Sequence, residues 1–224
     1  METSADRPYT GLMIRVFSWM FAALSLTGIV SFFLINDGRI LNYFYQNTGV
    51  LFGLFIAELL LVFFLAARVH KLSVGSATFF FFLYATLNGF TITPLVALYT
   101  PYSIASVFFI TAGMFGIFAL YGAVTKRDLS RMGSILIMAL IGIILATIVN
   151  IWIKSPALYW VVTYLGVAIF CGLTAYDIQK IKNIQDQHMD EDTHTKTAIM
   201  GALALYLDFI NMFIYLLRIF GDRD

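Results

Sequence analysis

The sequence predicts an all-α integral membrane protein, a seven-transmembrane-helix bundle forming a single domain over residues 1–224. Three observations predict it. The first is composition: of 224 residues, 60% are hydrophobic and only 12% charged, whereas soluble domains run near half apolar and a quarter charged. The second is a set of seven apolar runs, each about the 20 residues that a helix rising 1.5 Å per residue needs to cross a hydrocarbon core. The third is what lies between them: short, turn-forming segments that force neighbouring helices antiparallel and leave no room for a second domain. Inside a bilayer the backbone must satisfy its own hydrogen bonds, so such runs are helices. The alternating ten-residue segments of a membrane barrel are absent.

Span 1 covers 11–35. It is too long for the core of a cleaved signal peptide, Arg15 interrupts it, and no small-residue cleavage site follows, so an uncleaved anchor is expected. "NDGR" (36–39) then turns the chain into span 2, 49–67, which carries Glu58 at its centre. Span 3, 76–99, contains Pro94 in "NGFTITP", which predicts a kink with threonine hydroxyls repairing freed carbonyls. "TPYS" (100–103) precedes span 4, 103–124, where Ala112, Gly113 and Gly116 predict a close helix approach. "TKRDLSR" (125–131) leads to span 5, 132–153, and "KSP" (154–156) to span 6, 157–181. The next segment, "QDQHMDEDTHT" (185–195), gathers acids and two histidines. It lacks the glycine and the ligand spacing of a calcium loop, and a solvated linker is expected. Span 7 is 198–220.

Basic residues orient the bundle. Arg7, Arg68, Lys71, Lys126, Arg127, Arg131, Lys180, Lys182 and Lys196 fall on the side of the N-terminus; Arg39, Lys154 and Arg223 fall on the other. The N-terminus is therefore expected in the cytoplasm and, with seven spans, the C-terminus outside. A six-span form with a re-entrant last segment would bring the C-terminus back.

The net charge of +1 offers no basic field for nucleic acid. One cysteine, Cys171, cannot form an internal disulfide, and it reads as a small apolar helix residue. No phosphate loop, nucleophile elbow or zinc-helix motif is present, and no lysine deep in span 7 could carry a retinal Schiff base. The expectation is a protein that is not an enzyme and needs no cofactor. A paired-aspartate intramembrane protease would need that class's own motifs, which are missing.

Chemistry then rests on the ionisable groups within the spans: Arg15, Glu58, Asp177, Asp208 and Arg218. Each is costly in hydrocarbon unless it faces protein or water. Arg15 can snorkel to the headgroups. Glu58 cannot, and an intramembrane pair between Glu58 and Arg218 is expected. Asp177 lies just inside the cytoplasmic end of span 6, and Asp208 is entered from the same side by span 7. If the two meet away from water, both cannot ionise cheaply, and one proton is shared between them. Separate packing roles for the two acids remain the alternative. A pair that loses its proton would repel, or would admit a hard cation such as calcium in transit.

"TAYDIQKIK", "GALALYLDFINMFIYLLRIFG" and "TKRDLS" resemble the Bax inhibitor-1, or transmembrane Bax-inhibitor-motif, family, and the similarity runs from span 1 to the C-terminus. The short loops are similar to those of bacterial members of the plasma (inner) membrane. The resemblance implies a seven-helix bundle with the C-terminal helix central and a pH-sensitive calcium leak, calcium being the permeant ion. It implies that Asp177 and Asp208 are the proton sensor and gate, with Arg68 as a latch on one of them, and that Glu58 and Arg218 form an acid–base pair. Some bacterial relatives are linked to a membrane-bound quality-control protease. That leaves a rival reading, a non-transporting interaction protein whose partner is such a protease.

Overall fold

The computed structural model describes residues 7–184 and 189–223, with side chains from Gly11 onward. Eight α-helices follow one another: α1 (Arg7–Asn36), α2 (Gly38–Gln46), α3 (Thr48–Arg68), α4 (Val74–Val96), α5 (Pro101–Val124), α6 (Ser130–Ile153), α7 (Pro156–Lys182) and α8 (Glu191–Phe220). All but α2 are long and apolar enough to cross a membrane. Large apolar side chains stand exposed along them, among them Phe21, Phe52, Phe63, Phe109 and Trp152, as expected where the surrounding solvent is lipid.

The turn signals act as helix caps. Thr100 and Ser155 each accept a backbone N–H three residues on, with Pro101 and Pro156 at the first helical position, where a missing N–H costs nothing. Ser73 caps α4 in the same way. Lys154 ends α6 in the left-handed region at φ 51°. At the start of α6 the Asp128 carboxylate accepts the Ser130 N–H at 2.9 Å. That backbone bond holds its carboxyl below the usual carboxylate range. A lowered folded-state value means support that is present at neutral pH and lost as pH falls through it. Exchange protection of the Ser130 amide is therefore expected to fade in acid in the wild type and to be absent at every pH in Asp128→Ala, as measured by hydrogen exchange.

Two boundaries differ from the sequence reading. Residues 38–46 form a helix that begins inside the 36–39 turn segment: Asp37 accepts from the Arg39 N–H at 3.1 Å, and Ile40, Leu41 and Phe44 face inward while Arg39, Asn42 and Tyr43 face out. This is the pattern of a helix lying along an interface. α8 also begins at Glu191, not at 198. Residues 191–195 are thus helix rather than linker, and Glu191 pairs with Arg15. Arg15 had been expected to reach headgroups. Residues 185–188 of that segment, with Asp186 and His188, lie outside the described residues.

The chain divides into two compact units, residues 1–99 with 185–206, and residues 100–184 with 207–224. In the first, α1 packs along α4 and α3 packs on the same helix. Gly89 makes the α1–α4 approach possible, since a Cβ there would lie 2.8 Å from Val30. The α4 hydroxyls do not serve Phe90, the carbonyl Pro94 would have bonded: Thr91 donates to Asn88 and Thr93 to Gly89. In the second unit, α7 is flanked by α5 and α6. The close approach on α5 is at Gly122, where a Cβ would lie 2.2 Å from the Ala175 carbonyl oxygen, and not at Gly113 or Gly116, which have open space among the described residues. α8 supplies its first half to one unit and its second half to the other. It is the most buried of the seven: 61% of its most apolar stretch is covered, against 11% for α3 and α6. That is what the resemblance implied for the last helix.

Candidate functional site

In the second unit, α7 and the second half of α8 bring two acids together. Asp208 is only 4% exposed, and Asp177 is half-buried. The Asp177 carboxyl and the Thr174 hydroxyl both lie within hydrogen-bond reach of the Asp208 carboxyl. Thr174 and Asp177 are three residues apart, so they share one face of α7. Hydrogen accounting is then restrictive. The Thr174 proton already goes to the Phe170 carbonyl at 2.8 Å. An ionised carboxylate donates nothing. Asp208 Oδ2 is buried with no hydrogen-bond partner, and an ionised Asp177 cannot supply one.

The surroundings are dry above the pair and charged below it. One turn deeper on α7, Cys171 Sγ lies 4.0 Å from Met212 Sδ on α8. Toward the helix end, Lys180 faces Asp177 and sits 6.0 Å from the Tyr176 ring. Tyr176 is seated on Gly133 of α6, where any Cβ would collide with the ring. Two residues past Asp177, Gln179 grips the 125–131 loop with both ends of its amide. It donates to the Arg127 carbonyl at 2.8 Å and accepts the Leu129 N–H at 2.8 Å. Lys182 donates to the Ala123 carbonyl at the end of α5. Sequence reasoning missed this clamp; a buried glutamine near a loop is its only sequence trace.

The other expected site residues fall as follows. Glu58 belongs to the first unit, where it is 5% exposed and accepts a hydrogen bond from Thr91 at 2.7 Å. Arg218 belongs to the second, where its guanidinium lies 5.7 Å from the Tyr159 ring and 5.4 Å from the Tyr215 ring. Arg68 is the last, exposed residue of α3 in the first unit. Among the described residues there is no cluster of three or more His, Cys, Asp or Glu that could hold a metal ion.

The family model for inhibitors of apoptosis-promoting Bax1 matches residues 10–224, nearly the whole chain. The chain belongs to the Bax inhibitor family. This family member is 51% identical over 225 residues to inner membrane protein YbhL of Escherichia coli (strain K12), with 98% of this chain and 96% of that one covered. A protein of Rickettsia prowazekii (strain Madrid E) is 38% identical, with 94% of this chain and 89% of its own covered. A membrane protein of Streptococcus pyogenes serotype M3 is 33% identical, covering 99% and 97%. With its seven spans, this Bax inhibitor family member is a multi-pass membrane protein.

Proposed function

We propose that this chain forms a passive cation path in the bacterial inner membrane, conducting calcium, with a gate set by a proton shared between Asp177 and Asp208. The observation that carries the reading is the buried Asp208 oxygen without a hydrogen-bond partner, beside a second acid whose proton would supply one. With the proton in place, one hydrogen bond joins α7 to α8 and the path is closed. Without it, two like charges meet in a poorly hydrated place, and the helices separate or a cation enters. Two carboxylates fall far short of the six to eight oxygens of a resident calcium site, which suits an ion in passage. The basic rim formed by the 125–131 loop, Lys180 and Lys182 supports placing this end of α7 in the cytoplasm, and with it the N-terminus. Arg68 is the basic residue assigned to latch the closed form.

The energies are within reach. Moving a gate from 1:99 to 99:1 takes about 5.5 kcal/mol, more than one weakly perturbed acid supplies at about 1.4 kcal/mol per pH unit. A strongly perturbed acid, or a weaker one together with a further contact made only in the closed form, is needed to reach it. The test is calcium flux into liposomes across pH, wild type against Asp177→Asn. The variant is expected to lose the pH dependence. A wild-type profile in the variant, or a stoichiometric protease partner in detergent pull-downs with no flux in liposomes, would remove the gate.

A further inference from the structure

Glu58 stands at one end of a buried hydrogen-bond chain that the carboxylate pair does not use. All of its members lie in the first unit. Thr91 on α4 donates to Glu58 Oε1 at 2.7 Å, and the Asn88 side chain, one turn earlier on the same helix, lies beside the Glu58 carboxyl. The Tyr206 hydroxyl on α8 lies 3.0 Å from Asn88 Oδ1. Thr27 on α1 lies 2.7 Å from the same hydroxyl. Four helices thus meet in one polar thread. Thr27 is 3% exposed and Tyr206 fully buried.

Every hydroxyl in the thread has at least two acceptors within reach. Thr91 faces the Glu58 carboxylate and also the Asn88 carbonyl at 3.2 Å. Tyr206 faces Asn88 Oδ1 and Thr27 Oγ1. Thr27 faces Tyr206, the Ala85 carbonyl at 2.8 Å and the Ala23 carbonyl at 3.0 Å. Two complete proton orders follow. With Glu58 ionised, Thr91 and the Asn88 amide donate to it, Tyr206 donates to Asn88 Oδ1, and Thr27 donates to Tyr206. With Glu58 protonated, the acid donates to the Asn88 oxygen, the amide turns over, and its N–H groups face Tyr206. Tyr206 then donates to Thr27, and Thr27 to Ala85 or Ala23. In both orders each hydroxyl of the thread finds an acceptor, as burial demands.

We propose that Glu58 is a second proton-binding site of this protein, and that the Asn88–Tyr206–Thr27 thread converts its occupancy into the hydrogen-bond direction of Tyr206 on α8. The ligand is a hydrogen ion. Tyr206 acts as a positioning residue, reached through Asn88. The titratable groups facing Glu58 within this unit are Tyr84 on α4 and Tyr206 on α8. α1 brings the uncharged Thr27. The Tyr84 ring packs edge-on against Tyr206 at 5.9 Å. The proposal goes beyond the calcium gate and does not depend on it.

The test is pH-jump infrared difference spectroscopy on the full-length protein in lipid, which reads the carbonyl stretch of protonated carboxylic acids. A carboxylic band is expected in the wild type, absent in Glu58→Gln and retained in the Asp177→Asn/Asp208→Asn double variant. Tyr206→Phe breaks the thread without removing the acid, so the Glu58 band is expected to persist with a shifted frequency. A Glu58→Gln spectrum identical to the wild type would overturn the site. An unshifted band in Tyr206→Phe would overturn the thread. Flux lost in the double variant while the Glu58 band remains separates this site from the calcium gate.

Discussion

Asp208→Asn is expected to abolish the pH dependence of calcium flux while leaving the protein folded. The reasoning starts from donors. The buried Asp208 oxygen has no hydrogen-bond partner, and an ionised Asp177 has no proton to give it. An asparagine amide supplies two N–H groups in nearly the same volume, and they can be given to Asp177 at any pH. The variant therefore mimics the proton-shared pair permanently. A gate governed by one proton changes its open-to-closed ratio by at most about tenfold per pH unit, because the linkage slope is about 1.4 kcal/mol per unit. In the variant that slope falls to about zero, with flux held at the closed level. Flux into liposomes at several pH values measures both quantities. A variant that retained the wild-type slope would show that the proton acts elsewhere.

The second large effect is steric. Gly122→Ala places a methyl group 2.2 Å from the Ala175 carbonyl oxygen and 2.9 Å from its Cα. Both atoms are backbone in the middle of α7, so neither can rotate aside. α5 and α7 must move apart, at a cost of about 1–3 kcal/mol or more. For a chain of this length that lowers the melting midpoint by several degrees. Gly116→Ala, six residues earlier on the same helix, meets no described atom within 4 Å. It is expected to be neutral or to stabilise slightly, since alanine is the better helix former by about 1 kcal/mol. Melting curves in detergent check the contrast, and equal effects at the two glycines would contradict the packing.

How much of this was legible beforehand differs from element to element. The seven spans follow from hydropathy and length because a bilayer imposes a nearly fixed thickness. The breaks at "TPYS" and "KSP" were visible as turn segments, and the structure uses their Thr100 and Ser155 as caps. The α2 helix was not, because nine residues with mixed polarity read equally well as a turn. The early start of α8 was hidden for a different reason. Glu191 finds its partner in Arg15, 176 residues away, and no local pattern reports such a pair. Glycine spacing on span 4 pointed to Gly113 and Gly116, whereas contact is made at Gly122. A small residue permits an approach without saying which neighbour makes it.

The site divides along the same line. That Asp177 and Asp208 are unusual was readable from their position in apolar runs, since a charge in hydrocarbon needs a reason. That Thr174 joins them, that Gln179 clamps the loop beside them, and that Glu58 feeds a thread through Asn88, Tyr206 and Thr27 required coordinates.

The order of hydrophobic and polar residues by itself determined the solvent, the number of crossings and the few ionisable groups that lipid would not tolerate alone. Those are properties of single segments, set by transfer free energy and helix rise. Which side chains meet, and whether each buried donor finds an acceptor, was decided only by the tertiary structure. Hydrogen bonds act over about 3 Å, and the residues they join here are separated by 33 positions of chain at Thr91–Glu58 and by as many as 180 at Arg15–Thr195.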